Sequence, residues 1–136
     1  MYLRSILLFV LLICFGSAYS QETVYSGEFE ADSFFTTFEG SWKINKSDSG
    51  LILVFENDFE AKKAPDLKVF FSSLPLSKIN GNNAANSGSS VLLSPLKKYK
   101  GRMEFSIPAE IKLDQYRSII VHCEKYAKLW GGSELK

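Results

Sequence analysis

The chain has 136 residues, 46% hydrophobic and 14% aromatic, with 23% charged. That is the size and composition of one globular domain, and it excludes a disordered or collagen-like polymer. The 16 basic residues against 15 acidic ones exclude a strongly basic nucleic-acid binder, and 1 histidine with 2 cysteines cannot build a four-ligand Cys/His zinc site.

In chain order, Arg4, an apolar run from Ile6 to Phe15 and small residues up to Ser20 read as a secretory signal peptide over 1–20, with cleavage near Ser20. The run is shorter than the ~20 residues that span a bilayer, which argues against an anchor. Bulky Ile13 before Cys14 argues against a lipidated cysteine. The expectation is an exported protein, periplasmic, cell-surface or extracellular, with residues 21–136 as a single domain and no membrane span in that part. Arg4 is the only charge before Gln21, so 21–136 is charge-balanced. It keeps one cysteine, Cys123, so no internal disulfide can form and stability must come from an apolar core.

From Gln21 onward the apolar period is mostly two. Tyr25, Gly27 and Phe29 suggest an opening strand. Trp42 and Ile44 alternate with Lys43 and Asn45, then Asp48-Ser49-Gly50 turns into Leu51–Phe55, predicting a hairpin. That second arm is apolar on both faces and should lie centrally. Leu67, Val69 and Phe71 make a strand behind Pro65-Asp66, and Asp66 is expected to cap the turn with its side chain. Residues 80–90, rich in Asn, Gly and Ser, read as a flexible loop. Val91–Leu93, Met103–Ile107, Ser118–Cys123 and Ser133–Leu135 supply further strands. Ala109–Tyr116 and Glu124–Trp130 could each form a helical turn or two, and neither is long enough to stand alone. The sum is an all-β chain: an antiparallel β-sandwich or partly open barrel of about seven to nine short strands.

Several of these segments together resemble the DM-thirteen domain. Phe55-Glu56-Asn57-Asp58-Phe59-Glu60 followed by Pro65-Asp66-Leu67-Lys68-Val69-Phe70-Phe71-Ser72 is similar to its Gly-Pro-Asp-Leu strand and the segment before it. Ile107-Pro108-Ala109 with Tyr116, and Ser118–Cys123 followed by Tyr126, Trp130, Gly131, Ser133 and Leu135, are similar to its later motifs. Gly27-Glu28-Phe29 resembles its opening. The resemblance implies an electron-transfer or redox-accessory module with Cys123 as the working residue, either a free thiol or a ligand to a group such as haem. It also implies a redox or membrane-cytochrome partner. Pro65, Asp66, Leu67, Pro108 and Gly131 are then structural signature positions. Two departures stand out. Ala64 replaces a glycine, so no positive φ is expected there, and His122 replaces the tryptophan usual beside the cysteine.

The residues themselves set limits on that chemistry. On a strand, Cys123 shares a face with Ile119 and Val121, the setting of a packing cysteine. His122 points the other way, so the two cannot share an ion unless a bulge intervenes. His122, Tyr126 and Trp130 are secondary candidates near the thiol, and His122 is expected at the surface or partly packed. Glu56, Asp58 and Glu60 recur every second residue and, if extended, would put three carboxylates on one face as a Ca²⁺ cage; the competing reading is a solvated edge neutralised by lysines. Lys97, Lys98, Lys100 and Arg102 suggest a basic hairpin tip for an anionic polymer or lipid. Phe34, Phe35, Phe38 and Trp42 are either a sugar platform or core. No nucleophile elbow and no phosphate loop are present, so the chain reads as a non-enzyme that requires no cofactor by sequence. The alternative to a redox module is a non-catalytic extracellular domain that binds a cell-surface polymer or protein, with Cys123 in its core.

Overall fold

The structure is a computed structural model and describes residues 21–135. The leader expected over 1–20 lies outside the described residues. Two antiparallel sheets face each other. The first has four strands in the order β1 (Glu22–Glu28), β4 (Ser41–Ser47), β5 (Gly50–Phe55) and β9 (Met103–Ile107). The second has five, in the order β2 (Glu30–Ala31), β11 (Lys128–Glu134), β10 (Ser118–Cys123), β7 (Leu67–Ser72) and β8 (Ser90–Pro95). A small pair, β3 (Phe38–Glu39) with β6 (Glu60–Ala61), lies at one end. The sheets do not close into a barrel, which resolves the expected alternatives in favour of the sandwich.

Period-two patterning explains the layers. In β9, Met103, Phe105 and Ile107 are buried while Glu104 and Ser106 are exposed. The β4–β5 hairpin pairs Ser47 with Gly50, and Gly50 takes a φ of 117° that a side chain would strain. β5, apolar on both faces, lies between β4 and β9 as expected. The inward residues of both sheets form one core in which Phe55 lies 4.7 Å from Phe59, 4.8 Å from Phe29 and 5.0 Å from Phe105, ring to ring. Each such ring contributes ~2–3 kcal/mol by leaving water.

A second, smaller core lies on the outer face of the five-stranded sheet. The connection between β7 and β8 folds back over that face and lays Ile79 and Ala84 on Phe70, Ile120 and Leu129. Residues 80–90, expected to be a flexible loop, form successive turns held by asparagine. Asn80 Oδ1 accepts from Asn82 N at 2.8 Å, Asn83 Nδ2 donates to Lys78 O at 2.9 Å, and Asn86 Oδ1 accepts from Gly88 N at 2.9 Å. Ala84, fully buried, anchors the segment.

The structure corrects three local expectations and bears out a fourth, the helical turn within Ala109–Tyr116. Glu124–Trp130 makes no helical turn. Residues 124–127 are a tight turn, closed by Ala127 N donating to Glu124 O at 3.1 Å, and β11 starts at Lys128 rather than Ser133. Ala127 carries a φ of 48° there, a conformation that glycine usually supplies. Within Ala109–Tyr116 only Leu113–Gln115 is helical, as a single 3₁₀ turn. The basic segment Lys97–Arg102 is no hairpin tip, because β8 and β9 belong to different sheets and the segment crosses between them. The four aromatics divide: Phe38 and Trp42 are core, whereas Phe34 and Phe35 project into solvent.

Candidate functional site

The candidate site is built on β10, all six residues of which are buried. The strand runs between β7 and β11, with Cys123 at its last position opposite Leu67 and Lys128. Ile119, Val121 and Cys123 face the main core, and Ile120 faces the second one. The pairing of β10 with β11 does contain a bulge, between Val121 and His122. The extra residue, Trp130, is on β11, opposed by none on β10. β10 therefore keeps its alternation, and the two neighbours Cys123 and His122 stay on opposite faces.

Cys123 is a free thiol with no exposed surface. Trp130 belongs to the same core, and its Nε1 donates to Lys62 O at 2.9 Å. Tyr126 is elsewhere, 61% exposed at the tip of the turn with the Lys125 ammonium 5.9 Å from its ring. The structure thus brings Trp130 into the compartment of Cys123 and separates His122 and Tyr126 from it.

His122 was expected at the surface or partly packed; it is 2% exposed. Its ring meets Phe70 edge-on at 6.3 Å, and its Nδ1 is buried with no hydrogen-bond partner. Burial pushes its pKa below the ordinary 6.5, opposed in part by the Glu124 carboxylate, the Lys128 backbone and the Asp66 carboxylate. The ring lines a cavity of about 450 Å³ under the long connection, with Asn82, Asn86 and Glu124. At the rim, the Lys68 ammonium bridges Glu124 and, at 3.4 Å, Asp66. The hydrogen bond that Lys68 donates to Glu124 is the main reason its pKa is raised. Sequence reasoning missed this triad, because its members are 2 and 56 positions from Lys68 and only strand pairing unites them.

The signature positions have structural reasons. A Cβ on Gly131 would run into the Glu30 carbonyl and the Phe38 ring, so glycine lets β2 pair there. Leu67 is core, and the Pro108 carbonyl accepts from Ile111 N at 3.0 Å. Asp66 does not cap its turn with its side chain; the carboxylate goes to Lys68, and its carbonyl accepts from Glu124 N at 3.2 Å. Ala64 has no positive φ, as expected.

The three carboxylates expected as a cage do not converge. β5 ends at Phe55, so Glu56, Asp58 and Glu60 are not on one extended face. Glu56 pairs with Lys43 at 3.1 Å, and Asp58 accepts from Ser41 N and Ser41 Oγ, both at 2.9 Å. The Ser41 backbone donor is the main reason the Asp58 pKa is lowered. Glu60 lies in β6 opposite Glu39. Among the described residues no group of three potential ligands is placed to hold a metal ion.

The family model for electron transfer DM13 matches residues 28–135. The chain belongs to this family. No curated protein and no solved structure matches it. The match spans both sheets and supports a redox-associated module. It also raises the question of haem, which the residues around Cys123 do not fit. The sulfur is fully enclosed by core side chains, and the cavity of about 450 Å³ beside β10 is lined by His122, not by Cys123. Among the described residues no helix is long and apolar enough to cross a membrane.

Proposed function

We propose that this DM13 domain is an exported redox accessory whose working group is Cys123, acting on a partner protein and turning over no substrate of its own. The observation that carries the reading is the family match over residues 28–135, together with the position of Cys123 at the very end of β10. Opening the 124–127 turn uncovers a strand terminus without parting the two sheets, and such local openings cost less than global unfolding. With one cysteine after residue 20, exchange needs a partner disulfide. The Cys123 sulfur loses its proton and bonds to one partner sulfur, while the other leaves and takes up a proton as a thiol.

The full burial of Cys123 favours a second reading, in which the thiol is core packing and the domain binds a surface polymer or protein. Thiol labelling with a small aromatic disulfide separates the two. The redox reading expects native-state labelling faster than global unfolding, and faster still when the turn is loosened by Glu124→Gly. Labelling only at the global unfolding rate, in both chains, would overturn it in favour of packing.

A further inference from the structure

The strand pairings put four connections at one end of the sandwich. Leu67 opposite Cys123, Cys123 opposite Lys128 and Lys68 opposite Pro95 align the chain segments around 62–66, 96–98 and 124–127. Ala31 opposite Gly131, with Asp32 N donating to Trp130 O at 3.0 Å, brings the 32–37 loop to the same end. At its tip Phe34 is 107% exposed and Phe35 90%, against 61% for the next most exposed large apolar residue, Tyr126.

The rings are held out by the turn. Thr36 N donates to Ser33 O at 3.1 Å, Phe35 N donates to Ser33 Oγ at 3.2 Å, and buried Thr36 and Phe38 fix the base. A sugar platform needs one ring face supported by protein, and Phe34 has neither. Single exposed apolar residues are commonplace, but two adjacent unsupported rings on a fixed turn are not.

Free lysines outnumber free carboxylates around them. Lys62 N donates to Thr37 O at 2.7 Å, which sets Lys62 and Lys63 beside the loop. Lys98 and Lys125 are on the neighbouring connections and Lys128 begins β11, and none of these five forms an ion pair among the described residues. Of the carboxylates at this end, Asp66 and Glu124 are taken by Lys68, while Glu60 meets Lys100 only through a backbone bridge. Asp32, Glu39 and Glu60 remain, fewer than the five lysines. Protruding aromatic rings within a cationic rim match an anionic bilayer, where rings enter the headgroup–acyl boundary and ammonium groups stay at the headgroups.

We propose that the 32–37 loop is a membrane-contact loop, with Phe34 and Phe35 entering an anionic lipid surface and Lys62, Lys63 and Lys98 seated on its headgroups.

The test uses the chain from Gln21, which contains both sheets and the core, so that the apolar leader cannot bind lipid on its own. It is sedimented with phosphatidylcholine vesicles and with phosphatidylcholine–phosphatidylglycerol vesicles. Binding is expected to the mixed vesicles and to weaken with salt. Phe34→Ser/Phe35→Ser should lower it ~10-fold or more with an unchanged melting temperature, since neither ring packs in the core. Lys62→Glu/Lys63→Glu should also lower it and flatten the salt dependence. Leu92→Ser, an exposed residue of β8, should change nothing. Phe35→Trp should show a blue shift of its emission on mixed vesicles. The proposal is overturned by absence of vesicle binding, by binding that the double serine variant retains, by an equal loss in Leu92→Ser, or by retention on heparin without vesicle binding.

Discussion

Cys123 and His122 are neighbours in sequence and inhabit different compartments. The thiol side of β10 faces a core to which both sheets contribute and in which aromatic rings touch in sequence. The imidazole side faces a smaller core whose cover is one polar connection. The first is closed by two layers of strands. The second is closed by turns whose hydrogen bonds are made largely by asparagine side chains. Burial is near complete on both sides, yet its cost of opening differs: away from the strand end at Cys123, exposing the thiol side means parting two sheets, a global event, whereas lifting a connection is a local one.

Phe71 and Phe70, adjacent on β7, test that difference most strongly. Phe71→Ala in the main core should cost about 4 kcal/mol and lower the whole-molecule unfolding midpoint. Phe70→Ala in the second core should cost about 3 kcal/mol and speed amide hydrogen exchange chiefly over residues 73–89. Equal exchange acceleration in both sheets by the two variants would break the comparison. Gly81→Ala should cost about 2 kcal/mol, since its Cβ would strike the Ala127 carbonyl and lift the connection locally. Cys123→Ser should cost ~1–3 kcal/mol by denaturant unfolding, because it places a hydroxyl in an apolar core.

The smallest effect sharpens the imidazole side. His122 is held neutral by burial, so the unfolded chain binds the extra proton and stability falls as pH drops below 6.5 toward the lowered folded-state value. Lys68, Asp66 and Glu124 stand at the cavity rim. The urea midpoint should therefore decline between neutral and mildly acidic pH in the parent chain and stay level in His122→Gln. Gly81→Ala, by admitting water to the ring, should reduce the same slope.

Legibility followed the period of the apolar residues. β9, β10 and the β4–β5 hairpin were readable because each alternation buries one face, and the doubly apolar Leu51–Phe55 run marked a central strand. β11 was misread at its start because Gly131 and Gly132 carry no pattern, and their meaning lies in the approach of β2. The faces of Cys123 and His122 followed from alternation alone. The depth of His122 did not, because its cover is made of Asn, Gly and Ser, residues that read as solvent-exposed until Ala84 and Ile79 are seen to pin them down. The calcium arrangement failed for a related reason: period-two carboxylates mean a shared face only where the strand continues, and β5 stops at Phe55.

The pairing of Ala31 with Gly131 joins positions 100 residues apart in the chain. β11, which bears Gly131, is also the strand that flanks Cys123 and His122. A nascent chain therefore cannot complete its five-stranded sheet until β11 has emerged, and the long separation between partners makes closure slow relative to local hairpins such as β4–β5. During that interval Cys123 lacks the cover of β11, and assembly order, rather than the finished architecture, sets when its side chain leaves water.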